Sequence, residues 1–179
     1  MKPKEKIATP LHLACSNDKT EMRPAMCHVH FIAGYAYASN SHIVVKQSFA
    51  YLNIGNVENL NGKSLHRDAF KELCRCDSAV ASSEGVECIK SGLKMMLPYG
   101  ELEGYTPNFD SVIPSSAPVS IAKLMISIVS MDIASKCLYT DGNDRINLAF
   151  HGEDRVVVLT VGGHPDQLAL VMPYHTKSY

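Results

Sequence analysis

Hydrophobic and polar positions alternate over short segments of the chain from Cys27 onward, and Gly, Asn and Ser interrupt these segments at close spacing. Alternation broken by turn-forming residues predicts β-strands arranged as an antiparallel meander. The strands predicted in the first half of the chain are 27–32, 35–39, 42–49, 78–83, 86–90 and 93–99. A polar, charged tail is predicted for residues 1–10 and a turn-rich loop for 50–62.

Two segments have the period of a helix. In the first, predicted over 66–75, the apolar residues that share one face are Ala69, Phe70, Leu73 and Cys74. In the second, the residues at i, i+3, i+4, i+7 and i+8 are Ile121, Leu124, Met125, Ile128 and Val129. A short strand at 118–121 would lead into this helix, and the strands predicted after it are 136–140, 145–150, 155–161 and 167–172. A helix and a run of strands thus occur twice, which predicts an α+β fold with two amphipathic helices on one side of largely antiparallel sheets.

Composition excludes several classes of protein. Of 179 residues, 46% are hydrophobic and 20% charged, with a formal net charge of −1, which is typical of a folded globular chain. Any contact with nucleic acid must therefore come from a local basic patch. The apolar stretches are shorter than the ~20 residues of a membrane helix, so no membrane partner is expected. Six cysteines do not form a dense disulfide framework, which favours a cytoplasmic protein with reduced thiols.

The first predicted helix carries a row of cations. Arg67, Lys71 and Arg75 recur every four residues, with Lys63 just upstream, so the three helical cations share one face. Such a row can follow the phosphates of DNA without reading its sequence. Neighbouring Asp68 and Glu72 support the alternative of a solvated face with local ion pairs.

Candidate catalytic and metal-binding residues are few. Cys27, His28, His30 and Cys76 could form a metal or thiol site, but the spacings are poor for zinc and packed core residues are the alternative. The Gly-Gly-His-Pro segment 162–165 lacks the context of a phosphate loop and predicts a hairpin turn. With no recognisable catalytic arrangement, the sequence indicates a protein that is not an enzyme and needs no cofactor.

Four segments resemble the bacterial DNA polymerase processivity clamp, the beta-subunit sliding clamp. They are 38–44 (similar to the clamp's ATDGHRL), 65–73 (its strand-then-helix segment), 104–114 (its bridge between domains) and 168–174 (its YVVMPMRL ending). Ser41 and Ile43 stand where the first of these motifs has glycine and arginine. The resemblance implies a lead-in over 1–20, a clamp middle-domain-like unit over 21–115 and a clamp C-terminal half-domain-like unit over 116–179, forming one compact body.

The resemblance also implies two binding surfaces. A DNA-facing surface would consist of Lys63, Arg67, Lys71, Arg75 and Lys123, binding double-stranded DNA weakly and without sequence preference. A groove for short hydrophobic peptide motifs of replication proteins would consist of Ser39, Ser41, His42, Ile43, Val44, Val171, Met172, Pro173 and Tyr174. The alternative is that Val171 and Met172 merely complete a sheet and Pro173 ends the strand.

The leading interpretation is a clamp-like, non-enzymatic binding module of DNA replication or repair. Two alternatives remain: a clamp-fold scaffold that binds only protein, and a metal- or thiol-dependent enzyme. Because a fragment of clamp architecture leaves sheet edges unpaired, we expect a homo-oligomer, in the simplest case a symmetric dimer.

Overall fold

A computed structural model describes residues 6–18, 20–100, 107–142 and 145–174 of the chain. Its strands are β1 (His28–Ile32), β2 (Tyr35–Ser39), β3 (Ile43–Ser48), β4 (Ser64–His66), β5 (Ser78–Ala81), β6 (Gly85–Lys90), β7 (Leu93–Pro98), β8 (Ile146–Phe150), β9 (Val157–Val161) and β10 (His164–Val171). Its α-helices are α1 (Arg67–Leu73) and α2 (Ile128–Cys137). Short 3-10 helical turns occupy Leu11–Leu13, Pro24–Cys27, Phe49–Tyr51, Val57–Leu60 and Phe109–Val112.

The strands form two antiparallel sheets. The larger has seven strands in the order β4-β1-β2-β3-β10-β9-β8, and the smaller has the order β5-β6-β7. In the larger sheet β3 pairs with β10, so the two units inferred from sequence share one continuous sheet. The predicted α+β fold with antiparallel sheets is confirmed. Within the described part of the chain, no helix combines the length and apolarity needed to cross a membrane.

Both helices lie beside the 3-10 turn Leu11–Leu13. α1 buries Phe70 and Leu73 completely, and α2 packs over β10 and β3. The thiols of Cys74 and Cys137 reach the backbone carbonyls of two adjacent residues, Thr9 and Pro10. The segment before β1 is therefore enclosed by the two helices.

The prediction of a polar tail over residues 1–10 is wrong for its described part after Lys6. Ile7, Ala8 and Thr9 are buried, and the N–H of Asn53 donates to the carbonyl of Ile7 at 2.8 Å. Ile7 and Ala8 join the hydrophobic core although residues 7–9 form neither a strand nor a helix. Residues 1–5 and Gly104–Thr106 of the predicted bridge lie outside the described residues.

The second helix begins later than its apolar spacing predicts. Residues 121–127 are not helical, because Ser127 is extended and its hydroxyl accepts the N–H of Ser130 as the cap of α2. The predicted strand 136–140 is also wrong, since its first two residues close α2 and Tyr139 bonds the side chain of Gln167 instead of a strand. Residues 118–121 do not form the predicted short strand. Val119 nevertheless contacts β8 through a backbone hydrogen bond, from its N–H to the carbonyl of Phe150 at 2.7 Å.

Candidate functional site

The two segments predicted to form a peptide groove meet at the junction of β3 and β10. Val171 pairs with Ile43 in the antiparallel ladder, and beyond this pair the N–H of Met172 donates to the carbonyl of His42 at 2.9 Å. Residues on opposite sides of a ladder lie about 5 Å apart, so segments distant in sequence become immediate neighbours. The juxtaposition of His42 and Met172 expected from sequence is therefore present.

The turn before β3 is fixed by its own side chains. The Asn40 side-chain oxygen accepts the N–H groups of His42 and Ile43, each at 3.0 Å, and the Ser39 hydroxyl accepts that of Ser41. Ser41 adopts φ of 75°, in the left-handed region where glycine is favoured. Ser41 is thus a strained residue of this tight turn, and the neighbouring His42 is exposed.

Burial divides the nine residues predicted for the groove. The side chains of Ser39, Ile43 and Val171 are buried, so these three support the sheet and do not line an accessible surface. For Val171 the structure agrees with the alternative that it completes the sheet, and β10 ends there. The others are at least partly exposed: Ser41, His42, Val44, Met172, Pro173 and Tyr174.

An additional residue joins this surface that the sequence did not indicate. The N–H of Tyr174 donates to the carbonyl of Met125 at 2.8 Å, which brings the non-helical segment 121–127 against the residues that follow β10. Met125, Met172 and Tyr174 are 50%, 43% and 57% exposed. These three residues, with His42, are the Met125–Met172 surface. The sequence assigned Met125 to the buried face of a helix, so nothing in it signalled an exposed position.

A separate apolar cavity of about 360 Å³ lies on the other side of the 121–127 segment. Its lining includes Leu124 and Ile126, on either side of Met125, together with Met131 of α2, Leu148 of β8 and Val157 of β9.

The predicted DNA-facing cations occupy different surroundings. Lys71 is exposed on α1, whereas Arg75, predicted to share its face, lies two residues beyond the end of the helix. Arg75 pairs with Glu72 at 2.6 Å, and the same carboxylate pairs with Lys90 at 2.7 Å. Arg67 is half-buried and donates to the side-chain oxygen of Asn17. The charge of Arg75, one of the three predicted cations, is therefore partly neutralised by Glu72.

The other two predicted cations, Lys63 and Lys123, lie outside α1. Lys63 lies over the ring of Tyr99, with 5.5 Å from its ammonium to the ring centroid. Lys123 is exposed in the segment before α2 rather than on a helix. Beneath α1, burial lowers the pKa of His12, and the positive charges of Arg67 and Lys71 lower it further.

The residues of the metal- or thiol-enzyme alternative have structural partners. His28 and His30 contact the backbone carbonyls of Pro24 and Ala25, each at 2.8 Å, and burial lowers the pKa of both. Burial raises the pKa of the Cys27 thiol, which disfavours the reactive thiolate. In the described ranges, no cluster of three or more His, Cys, Asp or Glu side chains could hold a metal. Of the Gly-Gly-His-Pro segment, Gly162 and Gly163 form the predicted turn between β9 and β10, and His164 and Pro165 begin β10.

Neither a protein-family model nor a curated protein matches the sequence. Solved structures do match the fold. The DNA polymerase sliding clamp from Bacillus subtilis aligns with 98% of this chain at 13% identity and a TM-score of 0.63. The sliding clamp from Pseudomonas aeruginosa with ligand aligns with 98% at 10% identity and 0.61, and the same organism's DNA polymerase III beta subunit bound to griselimycin with 95% at 11% identity and 0.61.

The chain spans 66%, 67% and 64% of these three clamps, in the same order. It therefore spans about two thirds of their length. The match runs through both sheets and both helices, since nearly all of the chain is aligned. The chain has the fold of the bacterial DNA polymerase III beta-subunit sliding clamp.

Proposed function

We propose that this chain is a shortened, divergent relative of the sliding clamps that acts as a non-enzymatic binding module in DNA replication or repair in the cytoplasm. Its principal activity is to bind short hydrophobic peptide segments of replication proteins on the Met125–Met172 surface. The observation that carries the proposal is the bond between Met172 and His42, which joins the two segments that resemble the peptide-binding segments of the family.

The chemistry of the surface suits such a ligand. Methionine adapts its shape to different apolar partners, and two of the exposed side chains are methionines. Tyr174 offers an apolar ring with a polar hydroxyl, a combination enriched at binding surfaces. His42 supplies a polar contact at the rim. The similar clamp from Pseudomonas aeruginosa bound to griselimycin supports the idea that this fold takes up ligands.

Contact with DNA is the second part of the proposal. Lys71 is exposed on α1, whose Phe70 and Leu73 are buried, and Arg75 is exposed in the turn just beyond the helix. Exposed cations can contact the phosphates of DNA whatever its base sequence. The affinity proposed for DNA therefore depends strongly on the salt concentration. Because Glu72 lies between them, we expect this affinity to be weak.

A scaffold that binds only protein is the second candidate function. It is favoured by the ion pairs of Glu72 with Arg75 and Lys90, which occupy charges that DNA would otherwise contact.

Fluorescence anisotropy tests the proposal and separates the two candidates. The probes are a labelled short peptide with Leu and Phe anchors, the same peptide with both anchors replaced by Ser, and a labelled DNA duplex. Saturable binding that requires the anchors supports the peptide surface, and its absence overturns it. Salt-dependent binding of the duplex supports the clamp module, whereas peptide binding alone supports the scaffold.

A further inference from the structure

Three contacts hold the non-helical segment that precedes α2. Val119 donates its N–H to the carbonyl of Phe150 at 2.7 Å, and Tyr174 donates its N–H to the carbonyl of Met125 at 2.8 Å. The hydroxyl of Ser127 caps α2. Anchored at these points, the segment leaves the apolar cavity of about 360 Å³ between itself and the strands β8 and β9.

One wall of this cavity is a single face of β8 and β9. Leu148 and Phe150 are two residues apart on β8, so their side chains point to the same face. Val157 of β9 pairs with Phe150 in the antiparallel register and therefore shares that face. Because α2 packs mainly over β10 and β3, it contributes only Met131 to the described lining.

The segment before α2 supplies the opposite wall through Ile121, Leu124 and Ile126. These side chains are only partly buried, and Leu148 across the cavity is 45% exposed, so the cavity is open to solvent. Water is poorly held in such a place, because a bound water needs several polar partners. The cavity is therefore suited to an apolar ligand.

The volume of the cavity sets the length of that ligand. A dry apolar cavity of about 150 Å³ accommodates benzene, so a cavity of 360 Å³ accommodates about twice as many carbon atoms. Since part of the volume is open, an aliphatic chain of roughly eight to ten carbons would fill the interior. Methionine adapts its shape, so Met131 can pack against a flexible chain.

Lys123 is the one charged residue among the described residues that line the cavity. It is exposed, and no acidic side chain in the described ranges forms an ion pair with it. A lysine can lay its aliphatic stem along an apolar surface while its ammonium group stays in water. The lining thus combines an apolar interior with a single positive charge.

We propose that this cavity binds a free medium-chain carboxylic acid as its carboxylate. The alkyl chain lies between the 121–126 segment and the face of β8 and β9, and the carboxylate lies beside the ammonium group of Lys123. The length of the chain matches the volume, and the charge of the head group complements that of the lining. Because Met125 does not line the cavity, the site is separate from the Met125–Met172 surface and does not depend on peptide or DNA binding.

NMR of methionine methyl groups locates the ligand, because methionines lie both in the cavity and outside it. Protein labelled with carbon-13 at these methyls is titrated with octanoate. We expect a saturable shift of the Met131 signal, assigned through Met131→Leu, and no shift of Met96 on β7. Butyrate, with half the chain length, should bind at least about tenfold more weakly, since each buried methylene strengthens binding roughly fourfold.

Two pairs of variants test the wall and the charge, with circular dichroism as the check of folding. Leu148→Glu places a carboxylate in the apolar wall and should abolish octanoate binding. Its matched control, Leu93→Glu, changes an exposed leucine of β7 and should bind octanoate like wild type. Lys123→Gln should weaken octanoate binding about two- to fivefold and leave binding of the uncharged 1-octanol unchanged, whereas Lys94→Gln should alter neither.

Several results would overturn the proposal. Absence of a Met131 shift at millimolar octanoate, an equal shift at Met96, or retained binding by Leu148→Glu removes the site. Equal octanoate affinity of wild type and Lys123→Gln removes the role of the carboxylate. A Met131 shift produced by the Leu- and Phe-anchored peptide but not by octanoate assigns the cavity to a peptide side chain. Octanoate shifts confined to Met125 and Met172 place the ligand on the other surface.

Discussion

The N–H of Met172 donates to the carbonyl of His42 across the junction of β3 and β10. This bond extends the ladder one step beyond the buried pair Val171 and Ile43. Successive side chains along a strand point to opposite faces. The buried pair Val171 and Ile43 therefore holds the adjacent exposed residues Met172 and His42 at a fixed spacing. The Met125–Met172 surface is thus supported by the core beneath it.

Truncation of Met172 tests the peptide surface directly. Met172→Ala should weaken binding of the Leu- and Phe-anchored peptide at least about tenfold, because a buried anchor contact is worth about 2 kcal/mol or more. Anisotropy titration gives the ratio of dissociation constants. DNA binding should change little, since α1 carries the proposed DNA contacts.

The control for this variant is Met96→Ala, which removes a similarly exposed methionine from β7 in the smaller sheet. Its peptide affinity should equal that of wild type. Equal affinities of the Met172→Ala variant and wild type would remove Met172 from the surface.

Charge reversal at Lys71 and Arg75, at and just beyond the C-terminal end of α1, tests DNA contact. Lys71→Glu combined with Arg75→Glu should abolish duplex binding while the fold is retained, because both side chains are exposed. In wild type, the slope of log affinity against log salt should be about −0.9 for each phosphate contact. Anisotropy at several salt concentrations measures both quantities.

A variant with the same change in net charge, Lys94→Glu with Arg155→Glu, separates a local contact from a global charge effect. Both of its positions are exposed, Lys94 on β7 and Arg155 just before β9. If the two double variants bind DNA equally well, α1 has no special part in the contact.

Much of the fold follows from periodicity. The strands β1, β2 and β3 and the helix α1 lie within one or two residues of their predicted positions, because each combines a clear period with flanking turn residues. Strand pairing between distant segments is not encoded in any local pattern. For the junction of β3 and β10, the resemblance of residues 38–44 and 168–174 to clamp segments supplied what periodicity could not.

The predictions for residues 121–140 were wrong for a physical reason. Apolar spacing from Ile121 to Val129 suits a helix, yet in the structure Leu124 and Ile126 line a cavity against β8 and β9 from a non-helical segment. The cap at Ser127 decides where the helix begins, and a single serine is a weak signal among the serines nearby. Exposure of Met125 depends on this tertiary arrangement and could not be predicted.

The left-handed backbone conformation of Ser41, in the turn before β3, should lower the stability of the protein. An L-residue in the left-handed region costs about 1–2 kcal/mol, and glycine avoids this strain while losing some conformational entropy. Ser41→Gly should therefore stabilise the protein by about 0.5–1 kcal/mol, measured by urea unfolding. Ser41→Val should destabilise it, because a β-branched side chain fits this region poorly. A destabilised glycine variant would contradict the strain at this turn.

Two buried glutamines join the units on either side of the β3–β10 junction. Gln47 and Gln167 are almost fully buried, and the Gln47 amide donates to the Gln167 oxygen at 3.1 Å. The same oxygen accepts the N–H of Tyr139 at 2.8 Å, and the Gln167 amide donates to the Tyr139 carbonyl at 2.6 Å. Thr9 donates to the Gln47 oxygen at 2.8 Å, so the network also holds the N-terminal segment.

Removing one member of this network should be costly. Gln167→Leu leaves the Gln47 amide and both backbone groups of Tyr139 without their present partners, and each buried unsatisfied group costs about 1–3 kcal/mol. We expect a loss of about 3 kcal/mol or more in the free energy of unfolding, measured by urea denaturation. The double variant Gln47→Leu with Gln167→Leu should lose less than the sum of the two single variants, because residues in one network couple. A loss below about 1 kcal/mol for Gln167→Leu, or strict additivity, would contradict a coupled network at this junction.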